Sequence, residues 1–428
     1  MASQAVQTRG IYHGLPVFPE NLEGLTAIVT GANGISGQHM LRVLAQNPQR
    51  WKKIYCLSRR PPAIPGGLPN HAEHIPLDFL KKPSEIAEVL KQHNVKADHV
   101  FFYSYIQIDP KEGAGLWSNA EEMSKVNTEL LTNFLESLPL ADIKPKRIML
   151  QTGAKYYGIH IGPSSTPNEE DDPRVLIEPN FYYPQQDYLS QYCQKHGIGW
   201  NEARPSFILG AVPDAAMNLC YPLALYATIC KRLGEPLRYP GDLVAWEAQQ
   251  DQSSAMLNGY LEEWMVLADH VANEAFNAAD DSAFTWGKFW PKLADWYGIE
   301  YTRPDPDAKY NEIKTRNETP RGFGPPATIR YTFLLTEWAK RPEVDKAWKE
   351  IAHEYDLTER ELRDVDRIFP FTDLALTMPV ALNFSMNKAR KRGWHGFVDS
   401  SECILEVFED FVKLKMLPPV PKVNVKFA

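Results

Sequence analysis

The chain has 428 residues, 44% hydrophobic and 23% charged, and its 46 Lys and Arg against 54 Asp and Glu leave a net charge of −8. That length allows two or three cores, or one large α/β core with an added lobe, and the composition excludes a disordered chain. The charge balance lacks the basic footprint of a nucleic-acid binder, and the longest apolar run, Leu219 to Cys230, is 12 residues with Pro222 inside it, too short to span a membrane.

Residues 1–23 carry little pattern beyond Leu15-Pro16-Val17-Phe18 and read as an arm on the surface. Leu25 to Thr30 is a short β-branched apolar run ending at Gly31, the signature of a buried parallel strand. Gln38 to Asn47 then shows helical spacing through Met40, Leu41, Val43 and Leu44. The alternation repeats with strands at 53–58, 74–78, 99–103 and 147–152 and helices at 84–92 and 119–138. This rhythm predicts an α/β fold, a doubly wound parallel sheet with right-handed crossovers and ligands at the carboxyl ends of the strands. Residues 24–210 are therefore assigned to the doubly wound, Rossmann-type domain. Residues 211–428 form a mainly helical substrate-binding lobe, partly interleaved with the sheet. Within that lobe, 223–233, 261–275, 289–297, 330–338, 344–355 and 402–414 carry helical periodicity, and 304–326, rich in Pro and Gly, reads as a surface loop.

The first βα turn, Thr30-Gly31-Ala32-Asn33-Gly34-Ile35-Ser36-Gly37, has the G-x-x-G-x-x-G spacing of a dinucleotide site. Gly31 permits the tight turn, Gly34 lets backbone N–H groups reach a pyrophosphate, and Gly37 lets helix and strand pack closely. Asn33 and Ile35 fall on the same turn. The second strand ends in Ser58-Arg59-Arg60, where an acidic residue would hold the ribose hydroxyl of NAD; guanidinium groups suit the 2′-phosphate of NADPH instead. Asp78, after the third strand, either accepts from the adenine amino group or caps a turn.

The usual short-chain dehydrogenase pair, a Tyr with a Lys four positions later, is not offered: Gln186 follows Tyr182 and Asp187 follows Tyr183 at that spacing. Lys155 supplies the ammonium from another place, in the loop Thr152-Gly153-Ala154-Lys155 after the fifth strand, which opens onto the cofactor crevice. Asn180-Phe181-Tyr182-Tyr183-Pro184 starts the next helix, with Pro184 in its first turn and Tyr183 held out of the α region. Tyrosine and lysine around one oxygen make a proton donor and an oxyanion site. The five cysteines, Cys56, Cys193, Cys220, Cys230 and Cys403, have no C-x-x-C spacing and read as free buried thiols. The 11 histidines show no metal-ligand spacing, so no metal is expected.

T-G-A-N-G-I-S-G, S-R-R, Q-T-G-A-K-x-Y and N-F-Y-Y, in this order, resemble the atypical short-chain dehydrogenases of the progesterone 5β-reductase/iridoid synthase type. The similarity continues through Arg204-Pro205, Met217-Asn218-Leu219, Ala227 to Lys231, Ala272 to Asn277 and Ser385 to Lys388. This resemblance implies NADPH-dependent reduction of a carbon–carbon double bond conjugated to a carbonyl. It implies that Tyr182 holds or protonates the carbonyl oxygen and that Lys155 keeps the phenol acidic and orders the cofactor. It also places Thr152 at the cofactor, makes Tyr105 an aromatic pocket wall, puts Tyr183 and Met217 at the substrate pocket, and matches Asn127 to an asparagine near the site. Met217, Phe371, Met378 and Phe384 of the second lobe are expected to close the pocket with apolar surface. Carbonyl reduction or cyclisation on the same scaffold, and a non-catalytic NADP-binding regulator, are the rival readings. The expected partner is a small hydrophobic molecule, with neither nucleic acid nor membrane; a homodimer is left open. The first ten residues lack the apolar core of a signal peptide, so a cytoplasmic location is the default.

Overall fold

Seven parallel strands form the central sheet. They are β1 (Leu25–Thr30), β2 (Trp51–Ser58), β3 (Ala72–Pro76), β4 (His99–Phe102), β5 (Arg147–Gln151), β6 (Gly199–Pro205) and β7 (Glu274–Ala278), in the spatial order β3-β2-β1-β4-β5-β6-β7. The order reverses between β1 and β4, and that switch point is where a doubly wound sheet opens a crevice. The computed structural model describes residues 5–111, 116–214, 216–315 and 326–422.

Strand side chains alternate between two cores. Ala27, Val29, Ile54, Cys56, Phe101 and Met149 face one core, while Ile28, Leu57, Val100, Phe102, Ile148 and Leu150 face the other. Both faces are buried at β1, β4 and β5 and along most of β2, so these stretches are apolar, as the short β-branched runs predict. The helices α1 (Ile35–Ala45), α2 (Pro83–Gln92), α3 (Ala120–Leu140), α4 (Tyr182–His196), α5 (Cys220–Leu233) and α6 (Ala255–Leu267) follow. Helices α2, α3 and α4 cover the second core. Helix α1 shares the first core with α5, α6 and the rest of the second lobe, whose Trp264, Trp286, Trp290, Trp348 and Trp394 are fully buried.

Several expectations change. The N-terminal arm is a hairpin, Val6–Arg9 against Tyr12–Pro16, and it buries Ile11, Tyr12 and Leu15 in the first core. The helical pattern of 261–275 ends with α6; after it the chain enters the sheet as β7. The helix expected at 330–338 is shorter, Leu335–Ala339. Ahead of it Thr328–Tyr331 pairs antiparallel with Asn311–Lys314, inside the stretch read as a loop. Strand β6 escapes periodicity because Asn201, Glu202 and Arg204 are polar yet fully buried. All five cysteines are buried and free. No helix of the described residues is long and apolar enough to cross a membrane.

Candidate active site

A cavity of about 1210 Å³ lies at the carboxyl ends of the strands and runs from the glycine turn to the second lobe. Gly31 has φ +58°, and a Cβ on it would sit 2.9 Å from the Tyr103 carbonyl carbon; a Cβ on Gly37 would sit 2.4 Å from Gly31 O. Side chains are excluded at both positions, so backbone alone forms the floor beside the N-terminus of α1. Asn33, Gly34 and Ile35 line that floor, with the dipole of α1 behind them.

Arg59 and Arg60 line the same end. Arg60 donates to Asp214 Oδ2 at 3.0 Å, whereas Arg59 makes no side-chain hydrogen bond among the described residues. Ser58 and Asp78 stay outside the cavity wall. The Ser58 hydroxyl donates to Arg60 O at 2.7 Å and shapes the turn, and Asp78 Oδ1 accepts from Leu80 N at 3.0 Å. Of the two roles open to Asp78, the geometry is that of the turn cap.

At the other end, Asn180 joins two segments that are 25 residues apart in the chain. Its Nδ2 donates to Lys155 O at 2.9 Å and its Oδ1 accepts from Tyr182 N at 3.1 Å, so the 3₁₀ turn Ala154–Tyr157 is tied to the first residue of α4. Lys155 and Tyr182 both line the cavity. Lys155 Nζ lies 4.8 Å from the centre of the Trp117 ring and 5.6 Å from that of Phe181. Burial lowers the Lys155 pKa to about 8, against the opposing pull of the Glu178 carboxylate. Tyr182 reaches back over Gly153, where a Cβ would come within 3.3 Å of its hydroxyl oxygen. Burial first, and the Glu202 carboxylate second, push the Tyr182 phenol well above its ordinary value. The phenol is thus a protonated donor. The implied acidification by Lys155 is not what the geometry displays, because no hydrogen bond joins the two side chains.

Tyr105, Thr152 and Met217 are in the cavity wall as expected, with Phe371, Leu374 and Met378 as its apolar end. Phe384 is not; it packs on Tyr157 with ring centres 5.4 Å apart. Tyr183 is the clearest correction. It belongs to the first turn of α4 despite Pro184, and its hydroxyl accepts from Val175 N at 2.8 Å and donates to Tyr156 O at 2.7 Å, away from the cavity. Consecutive helical residues point about 100° apart, so one tyrosine faces in and the other is used for packing. Asn127 is also structural: its side chain brackets Ile106 N and Ile106 O, each at 2.9 Å, holding the segment after β4 against α3.

Sequence reasoning missed the polar layer behind Tyr182. Glu202 and Arg204 are buried side by side on β6 and joined at 3.1 Å, and Thr152 Oγ1 donates to Glu202 Oε1 at 2.6 Å. Gln186 donates its amide to the same carboxylate, and Arg204 stacks 3.4 Å above the Tyr156 ring. The amide suits both neighbours: its nitrogen donates to Glu202 while its oxygen accepts from Arg174 at 2.5 Å and from the Tyr156 hydroxyl at 3.1 Å, whereas a carboxylate there could not donate to Glu202. The only signal was a Glu and an Arg in an otherwise strand-like run.

The geometry can be set beside known proteins. Residues 27–323 match the model of the PRISE-like Rossmann-fold domain. The chain belongs to that family. It is 30% identical over 397 residues to a short chain dehydrogenase of Penicillium aethiopicum, covering 92% of this chain and 99% of that protein. A 3-oxo-Delta(4,5)-steroid 5-beta-reductase of Arabidopsis thaliana is 28% identical over 409 residues (92% and 93%), and an (S)-8-oxocitronellyl enol synthase of Nepeta cataria 29% over 404 (92% and 91%). Among solved structures, the Bordetella bronchiseptica enzyme WbmG in complex with NAD superposes with a TM-score of 0.55 at 12% identity, covering 94% of this chain and 98% of that one, a likeness of fold. The PRISE-like protein is thus an enzyme of the short-chain dehydrogenase/reductase type. The side-chain-free floor between Gly31 and Gly37 fits the pyrophosphate of a dinucleotide.

Proposed function

We propose that the protein is an NADPH-dependent reductase of activated carbon–carbon double bonds, acting by 1,4-addition on enones or enals with a hydrophobic skeleton. The observation that carries this reading is the position of Tyr182: a protonated phenol in the cavity wall, between the glycine turn and the apolar surface of Phe371, Leu374 and Met378. NADPH supplies the hydride when bound. Tyr182 donates a hydrogen bond to the carbonyl oxygen, stabilises the charge that develops there as the β-carbon is reduced, and gives up its proton to that oxygen. The Lys155 ammonium, held near Trp117 and Phe181, adds positive charge to the same cavity. The name of the Arabidopsis relative describes the same change in a 3-oxo steroid.

Arg59 and Arg60 support NADPH over NADH, since both stand where the adenosine ribose of a dinucleotide on this turn is expected. The test follows nicotinamide oxidation with a panel of enones and matched saturated ketones, NADPH and NADH in parallel, and identifies the products. Saturated ketones from enones, with NADPH preferred, support the reading. Allylic alcohols as products, or turnover of saturated ketones but not enones, would overturn it.

A further inference from the structure

The cavity end that carries Arg59 and Arg60 receives a third guanidinium from the second lobe. Arg367 lies on the short helix Val365–Ile368, entered through Asp364 at φ +52°. It donates from Nη1 to Asp214 Oδ1 at 2.7 Å, while Arg60 donates from Nη2 to Asp214 Oδ2 at 3.0 Å. One carboxylate therefore bridges two guanidiniums that come from opposite sides of the cavity mouth. All three residues line the cavity.

We propose that Arg367 is a cofactor-specificity residue, which with Arg60 binds the 2′-phosphate of NADPH, and that Asp214 is the internal anion that phosphate displaces. The inference rests on the NADPH reading above and extends it to a part of the chain far from the nucleotide-binding turn. Two guanidiniums that reach the two oxygens of one carboxylate are also spaced for two oxygens of one phosphate monoester, and the dianion is the stronger acceptor. Exposure makes the exchange feasible. The side chains of Arg60, Asp214 and Arg367 are 67%, 39% and 46% exposed, so neither ion pair is a tight buried one. Of the neighbouring acidic groups, Asp366 is paired with Lys340 at 2.7 Å, and among the described residues Asp214 is the one carboxylate in an ion pair with Arg60 or Arg367.

The same segment continues into the helix Pro370–Thr377, which carries Phe371 and Leu374 of the apolar wall. A phosphate held by Arg367 thus bears on the wall that meets the substrate.

Calorimetric titration of the full chain with adenosine 2′,5′-bisphosphate and with adenosine 5′-monophosphate tests this without turnover. Arg367→Gln should weaken the bisphosphate about tenfold and leave the monophosphate within about twofold, as loss of one charge-assisted contact predicts. Asp214→Asn should tighten the bisphosphate by about two- to fivefold by removing the competing anion. Arg60→Gln separates the two levels of argument. If the wild type does not prefer the bisphosphate, the NADPH reading fails and this inference with it. If the preference exists and is lost in Arg60→Gln but kept in Arg367→Gln, this inference alone is overturned. Equal weakening of both probes by Arg367→Gln, or weaker bisphosphate binding by Asp214→Asn, also overturns it.

Discussion

The two ends of the cavity are built on opposite principles. At the glycine turn the working groups are backbone amides from one continuous βα unit, and the requirement on side chains is that they be absent. At Tyr182 the working groups are side chains from distant segments, aligned by Asn180 between Lys155 and α4 and backed by the Thr152–Glu202–Gln186 layer. A backbone site fails by steric overlap. A side-chain site fails by loss of one functional group, while its scaffold and the other end remain intact.

Two substitutions break this comparison most directly. Tyr182→Phe removes the proton donor and should lower kcat by about 10²–10⁴-fold with enone substrates, while the cofactor Kd from a fluorescence titration stays within about twofold. Comparable kcat in the variant would remove Tyr182 from the chemistry. Gly37→Ala should act in the reverse sense. Its Cβ would meet Gly31 O at 2.4 Å, so cofactor affinity should fall about 10- to 100-fold, as overpacking of 1–3 kcal/mol predicts. Unchanged cofactor affinity would mean that the turn is not the pyrophosphate floor.

The same contrast explains what could be read in advance. Four of the five strands read at 25–30, 53–58, 74–78, 99–103 and 147–152 lie within a residue or two of the observed ones because a parallel sheet buried on both faces demands apolar runs; the third falls at 72–76, where only Ile75 is buried and the run is not apolar. The glycine turn follows from spacing, since its whole function lies in one short segment. Lys155 and Tyr182 were found through a family resemblance and through the place of their loops in a doubly wound sheet. The polar layer was not found, because the partners that let Glu202 and Arg204 be buried, Thr152, Gln186 and Tyr156, come from other segments, and the two charges disguise a buried strand as a polar one. Tyr183 was misplaced for a related reason. Its hydroxyl is consumed by Val175 N and Tyr156 O, and no periodicity announces those partners.

Lys155 sharpens the comparison through pH. Burial places its pKa at about 8, below its ordinary value, so the ammonium is complete below that pH and is lost as pH rises through it. If that charge assists the reaction, kcat/KM for the cofactor, which reports the free enzyme, should fall about tenfold per pH unit above pH 8. Lys155→Met should have a lower rate and no such limb. A limb near pH 8 that persists in Lys155→Met would assign it to another group. The linkage has the matching sign: the folded state holds Lys155 less protonated than the unfolded state between about pH 8 and its ordinary value, so this residue makes stability rise with pH across that window.

The smallest catalytic effect should come from the neighbouring phenol. Tyr183→Phe leaves Val175 N–H and Tyr156 C=O without their buried partner, so it should destabilise the fold by about 1–3 kcal/mol in urea denaturation. Because Tyr183 faces away from the cavity, kcat should stay within about twofold of wild type below the unfolding range. A large loss of kcat with unchanged stability would invert the assignment, making Tyr183 the proton donor and Tyr182 the packing residue. Measured together, the two Phe variants divide a tyrosine pair that sequence leaves equivalent into one residue that changes rate and one that changes stability.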